Sequence, residues 1–170
     1  MHSLSQRANT IVCFGGIVLV GVLLLNVLSR AFFSDHVDVD IKLNEIHRFN
    51  TQRNFEYSFI SIDLDANLEP LFNWNTKMLF LYVTAEYRTK QNVLSQVVIW
   101  DHILTEKSKA NIHEKRLSKY PLIDQGLGLK NNTIKLTFNY NVVPISGLLT
   151  RHQVGSSEFK FPTTYIKEVY

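Results

Sequence analysis

The chain has one cysteine, Cys13, so no disulfide can form within it. A small extracellular domain often needs such staples, whereas a medium-sized domain held at a membrane does without them. There is no internal repeat and no low-complexity tract. Neither sign of charge is in excess along the body of the chain. Of 18 Lys and Arg, Arg7 and Arg30 flank an apolar run, which leaves 16 against 15 Asp and Glu. Without a basic stripe to displace phosphate counterions, nucleic acid is not an expected partner. The segment Lys107 to Lys119 carries Lys109, Lys115 and Arg116 beside Glu106 and Glu114, and it reads as a solvated loop or surface.

Motifs of chemistry are missing as well. No G-x-G-x-x-G or G-x-x-x-x-G-K-[ST] offers a phosphate cradle, and His47, His102 and His113 have no zinc-ligand spacing. Serines 58, 61, 95, 118 and 146 and histidines 36, 47, 102, 113 and 152 are present, none in a nucleophile turn. Asp38 with Asp40, and Asp63 with Asp65, lie two apart and share a strand face, so each pair can converge. The same spacing fits solvent-facing positions of amphipathic strands, the reading the surrounding alternation favours. No catalytic, cofactor-binding or metal-ligating residue is therefore assigned, and no small-molecule ligand or cofactor is expected. A Ser-His site assembled from distant segments stays open at this point.

What the sequence does hold is "IVCFGGIVLVGVLLLNVL", an uncharged run from Ile11 through Leu19 to Leu28. At about 18 residues a helix of this run reaches about 27 Å, enough for a thin bilayer, and it exceeds the 7 to 15 residues or so of a secretory h-region. Ser29-Arg30-Ala31 places small residues where a cleavage site would want them. Length favours a retained anchor. A slight excess of positive charge on the N-terminal side favours a cytosolic N-terminus and a translocated body. The expected organisation is a short tail over 1–10, a membrane helix over 11–31 and one domain over 32–170, long enough for a core of its own.

Behind the run, period-two alternation dominates. Val37, Val39, Ile41 and Leu43 alternate with Asp38, Asp40 and Lys42; Ile60, Ile62 and Leu64 with Ser61 and Asp63; Ile134, Leu136, Phe138 and Tyr140 with Lys135, Thr137 and Asn139. Each pattern predicts a strand with one buried and one wet face. "MLFLYVTAEY" from Met78 and "VVIWDHIL" from Val97 are apolar on both sides and predict strands covered on both faces. Pro70, Pro121, Gly126 with Gly128, and Pro144 with Gly147 break the runs. Asn67 to Phe72 suits a short helix, and Ser34 to Val37 is the expected junction. The predicted class is all-β, an antiparallel β-sandwich behind one N-terminal helix. Most aromatic residues suit the core, but "FNWNTK" reads as a loop whose rings, Phe72 and Trp74, meet a partner or the bilayer. Asn131-Asn132-Thr133 is the one N-x-[ST] tripeptide and marks Asn131 as a glycosylation acceptor if the domain is lumenal.

Leu71 to Asp101, "LFNWNTKMLFLYVTAEYRTKQNVLSQVVIWD", resembles the central block of the signal peptidase complex subunit 3 family, the 22/23 kDa subunit. Ser5 to Asn9, "DQGLGLKNN" from Asp124 and "NYNVVPISGLL" from Asn139 agree in order, so the resemblance covers essentially the whole chain. Members generally read Asp-Asp-Gly-Asn-Gly-Leu-Lys where this chain has Gln125 and Leu127, carry tryptophan at Tyr140, and place the sequon a couple of residues beyond Asn131. The resemblance implies a single-pass type II protein of the endoplasmic reticulum membrane with a lumenal β-domain. It further implies a non-catalytic role beside the catalytic and other subunits of the complex that removes signal sequences. The alternatives it competes with are a membrane-tethered hydrolase and a secreted binding module.

Overall fold

Alternating runs become strands, and the apolar run becomes a helix. The structure, a computed structural model, describes residues 3–29, 32–33 and 36–167. Helix α1, Leu4–Ser29, covers the apolar run and extends back through the polar residues before it. None of its residues is buried, and it is long and apolar enough to cross a bilayer.

Two four-stranded antiparallel sheets follow. The first contains β1 (Asp38–Gln52), β2 (Phe55–Asn67) and β5 (Asn111–Leu117) in that order, with β6 (Leu122–Asp124) pairing with the other half of β2. The second has the order β4 (Ser95–Leu104), β3 (Thr76–Tyr87), β7 (Thr133–Pro144) and β8 (Thr150–Lys160). Ile60, Ile62 and Leu64 of the first sheet and Leu81, Val83, Ile134, Leu136, Phe138 and Tyr140 of the second are all 0 % exposed and form the core between them. The sandwich and its helix are as the alternation predicts.

The expectations fail in informative places. "VVIWDHIL" forms β4, an edge strand, and Val98 and Ile103 stand exposed on it. Lys107 to Lys119 is surface, as one of its two readings has it, but most of it is strand and not loop: β5 is exposed except at Ile112, a single buried apolar residue that is too weak a signal for a periodic reading. Thr137 and Asn139, expected on a wet face, are buried, because β7 lies between β3 and β8 and their side chains crowd over it. Asn139 Nδ2 donates to Thr84 Oγ1 at 2.9 Å and to the Thr137 carbonyl at 3.2 Å. A short 3-10 turn, Glu69–Leu71, stands where a short helix is expected. At the expected junction, Ser34 and Asp35 lie outside the described residues, and Val37 is already core.

Strand direction gives the sandwich a near end, where α1 enters, and a far end. The near end holds the start of β1 and the β2–β3, β4–β5 and β7–β8 connections. The far end holds the β1–β2 turn, 88–94, 125–132 and the final segment 161–167.

Candidate functional site

Side chains of directly opposed residues share a sheet face, so the strand registers define both outer surfaces. On the first sheet, Asp40 lies opposite Asp65, Lys42 opposite Asp63, Asp65 opposite His113 and Asp63 opposite Lys115. This face is charged and self-neutralising: Asp65 Oδ1 meets His113 Nδ1 at 2.8 Å, and Lys42 pairs with Asp40, which raises the lysine pKa through hydrogen bonding and charge. The two aspartate pairs noted in the sequence are members of this lattice. No group of three potential metal ligands occurs among the described residues.

The outer face of the second sheet is different in kind. Met78 lies opposite Val143, Phe80 opposite both Asn141 and Ile103, and Tyr82 opposite Asn139 and Asp101. Phe80 and Tyr82 stack with ring centroids 5.5 Å apart, and Ile103 is 54 % exposed beside them. Asp101, tied to Lys119 at 3.3 Å, sits on β4 between Ile103 and Val98, and Arg151 lies 5.8 Å from the Tyr82 ring centroid. Apolar side chains from Met78 to Val98 therefore run along the sheet with polar groups interleaved, a mixture more common in partner surfaces than on a free face.

At the near end, Asn75 fastens two loops together. Its Nδ2 donates to the Ser146 carbonyl at 2.9 Å, its Oδ1 accepts from the Ser146 amide at 3.0 Å, and its own carbonyl accepts from the Ile145 amide at 2.7 Å. Phe72, one of the two rings singled out from sequence, packs against the core, while Trp74 is 54 % exposed on the loop. Gly147 has φ +111°, a backbone conformation that favours glycine, and a methyl placed on it would be in ordinary van der Waals contact with Val27 Cγ2 of α1, 3.4 Å away.

At the far end, two buried carboxylates hold the loop after β6. Asp124 Oδ2 accepts from the amides of Gly126 (3.1 Å) and Gly128 (2.7 Å), and its Oδ1 accepts from Tyr87 Oη at 3.2 Å. Burial, followed by the Asp124 charge, pushes the Tyr87 phenol well above its ordinary range. Glu56, opposite Asp124 in register, accepts from the Leu129 amide at 2.8 Å and from Tyr165 Oη at 3.0 Å. Asn131 is exposed at this end with φ +56°. The "DQGLGLKNN" block thus has a structural task, and Glu56, which pattern reading missed, is its other half.

The serines and histidines considered for catalysis are spread through the fold. Ser58 Oγ donates to the Arg48 carbonyl, Ser118 Oγ accepts from the Ile60 amide, and Ser146 is held by Asn75. His102 stacks on Trp100 at 5.9 Å, and partial burial followed by Arg116 and Lys119 pushes its pKa down. His152 stacks on Tyr140 at 5.0 Å, the position where a larger ring is the family habit.

Fold and surfaces define a class: a β-sandwich behind one helix long and apolar enough to cross a membrane, with one charged face and one face that mixes apolar and polar side chains. A family model described as "Signal peptidase subunit" matches residues 1–164. The chain is 96 % identical over 170 residues to Signal peptidase complex subunit 3 of Dictyostelium discoideum, covering 100 % of both chains. It is 36 % identical to the subunit 3 of Drosophila melanogaster and 35 % to that of Homo sapiens, each over 174 residues and 97 % of both chains. The chain belongs to the signal peptidase complex subunit 3 family, that of an accessory subunit rather than the catalytic one.

Proposed function

We propose that this chain is a non-catalytic subunit of the signal peptidase complex in the endoplasmic reticulum membrane, and that its β-sandwich holds the catalytic subunit at the lumenal surface. In this reading α1 is a retained type II signal-anchor, residues 11–31 span the bilayer, and 32–170 lie in the lumen. The contrast between the two outer faces carries the proposal: the apolar side chains of Met78, Phe80, Ile103 and Val98 mark the surface that receives the peptidase. The charged face of the first sheet stays in water. Positioning is the benefit, since misplacing a scissile bond by about 1 Å can cost about a hundredfold in rate.

Ile103→Asp in the full-length chain is expected to weaken co-purification with the catalytic subunit about tenfold or more, while Lys115→Ala on the opposite face leaves it unchanged. Membranes depleted of the chain should lose cleavage of secretory precursors and regain it with the wild-type chain or Lys115→Ala but not with Ile103→Asp. Equal recovery by both variants would remove that surface from the proposal, and normal cleavage in depleted membranes would end it. Lumenal placement also makes exposed Asn131, at the end farthest from α1, a glycan acceptor. An endoglycosidase-sensitive mobility shift absent from Asn131→Gln is the expected sign.

A further inference from the structure

The near end carries a surface that a scaffold role does not require. From Pro70 to Thr76 and from Leu136 to Thr150 the chain has no charged side chain. These stretches hold the whole β7–β8 loop and the part of the β2–β3 loop beyond its one charge, exposed Glu69; Asn75 clamps the two loops together, and Trp74, Ile145, Leu148 and Leu149 stand exposed on them. Phe32, just beyond the end of α1, is exposed as well.

Two observations set the depth of this surface. The β7–β8 loop touches the last turn of α1, where Val27 faces Gly147, and Val27 lies within the apolar run. A loop packed against residue 27 of a membrane helix stands at the level where hydrocarbon gives way to headgroups. Tryptophan and phenylalanine favour that level, and leucine and isoleucine gain by entering it. The third near-end connection, which crosses from β4 of the second sheet to β5 of the first, carries Glu106, Lys107 and Lys109, which suits water and headgroups instead. The near end is thus amphipathic across its width.

We infer that the paired β2–β3 and β7–β8 loops insert Trp74, Ile145, Leu148 and Leu149 into the lumenal interface of the bilayer, so that the domain is seated on lipid as well as tethered to it. The inference rests on α1 spanning the membrane. One helix fixes a height but leaves the domain free to swing, whereas a second apolar foothold beside it fixes the tilt. The outer face of the second sheet then stands at a set angle to the membrane plane, since each loop leads into a strand of that sheet, the first into β3 and the second into β8.

Replacing Cys13 with serine leaves a cysteine-free chain on which single cysteines can carry a fluorescent label. Leu148→Cys and Ile145→Cys report the loop, Leu19→Cys the centre of the span and Val93→Cys the far end. Leu148 and Val93 are both 84 % exposed, so a label samples position and not burial. The full-length proteins are reconstituted in phosphatidylcholine vesicles with acyl chains dibrominated near the glycerol end. Labels at 145 and 148 are expected to lose about half their emission relative to unbrominated vesicles, with that at 93 unchanged. Quenching at 19 together with full emission at 145 and 148 would overturn the inference while leaving the anchor in place. No quenching at 19 would overturn the anchor and the seating together. Labels at 145 and 148 that escape lipid quenching yet become shielded when the catalytic subunit is added would mean that protein covers the loops, which also overturns it.

Discussion

The two ends of the sandwich are closed by different chemistry. The far end is closed by charge: Glu56 and Asp124, both buried, collect backbone amides of the 125–132 loop and two tyrosine hydroxyls. The near end is closed by a neutral amide, Asn75, which joins an uncharged β7–β8 loop to a β2–β3 loop whose one charged side chain, Glu69, lies at its other end. A carboxylate that accepts several amides is well satisfied where water surrounds the loop, but it would be costly at a hydrocarbon boundary. An asparagine makes comparable links with no charge to desolvate. The lesson is that the type of fastening, charged or neutral, follows the medium each end is built to face.

The largest effect should come from the charged fastening. Asp124→Ala leaves the Tyr87 hydroxyl and the amides of Gly126 and Gly128 without their acceptor, and is expected to cost about 3 kcal/mol. Asp124→Asn keeps one oxygen but turns an N–H toward donors, so it should recover less than half. Thermal unfolding of the full-length chain in detergent measures both. If the alanine variant melted within about 1 °C of wild type, the carboxylate would not be what holds the far end.

A smaller loss is expected at the neutral end. Asn75→Ala removes two hydrogen bonds to Ser146 while sparing the backbone bond from Ile145, for an expected cost of about 1 to 2 kcal/mol. Amide exchange should accelerate at 145–149 and stay unchanged at 125–132, and the effect should add to that of Asp124→Ala because the sites lie at opposite ends. Exchange that accelerates at both ends would dissolve the distinction between them.

Much of this was legible in the residues and some was not, for reasons that differ by element. β7 announces itself because its large inner residues Ile134, Leu136, Phe138 and Tyr140 alternate with polar ones, and β3 because it is apolar on both sides, as a strand packed between two neighbours should be. β5 and β8 do not, since edge strands bury little: the inner positions of β8 are His152, Val154, Ser157 and Phe159, and a bulge between Val154 and Ser156 breaks their period. β4 misleads in the opposite sense, because Val98 and Ile103 look like core and instead build an outer strip. Trp74 is readable as an exposed ring from its polar neighbours, whereas Ile145, Leu148 and Leu149, around the Pro144–Gly147 break, show their place only when Gly147 is seen against Val27. Glu56 is invisible to pattern, since a buried carboxylate depends on partners 73 and 109 residues away.

The smallest expected change is a gain, and it tests whether the far end is optimally built. Leu127 has φ +52°, a left-handed conformation that a leucine side chain resists, on the loop that Asp124 holds at two amides. The family pattern places asparagine at this position, and asparagine tolerates that region because its short polar side chain bonds locally. Leu127 is half exposed, so replacing it sacrifices little apolar burial. Leu127→Asn is therefore expected to stabilise the chain by about 1 kcal/mol, a rise of about 2 to 4 °C in Tm. Asp124→Ala should cancel that gain, because a loop released from its carboxylate no longer imposes the left-handed backbone. A gain that persists in the Asp124→Ala background would mean that the strain at Leu127 comes from another part of the loop, and the far end would then owe its shape to something besides its buried charge.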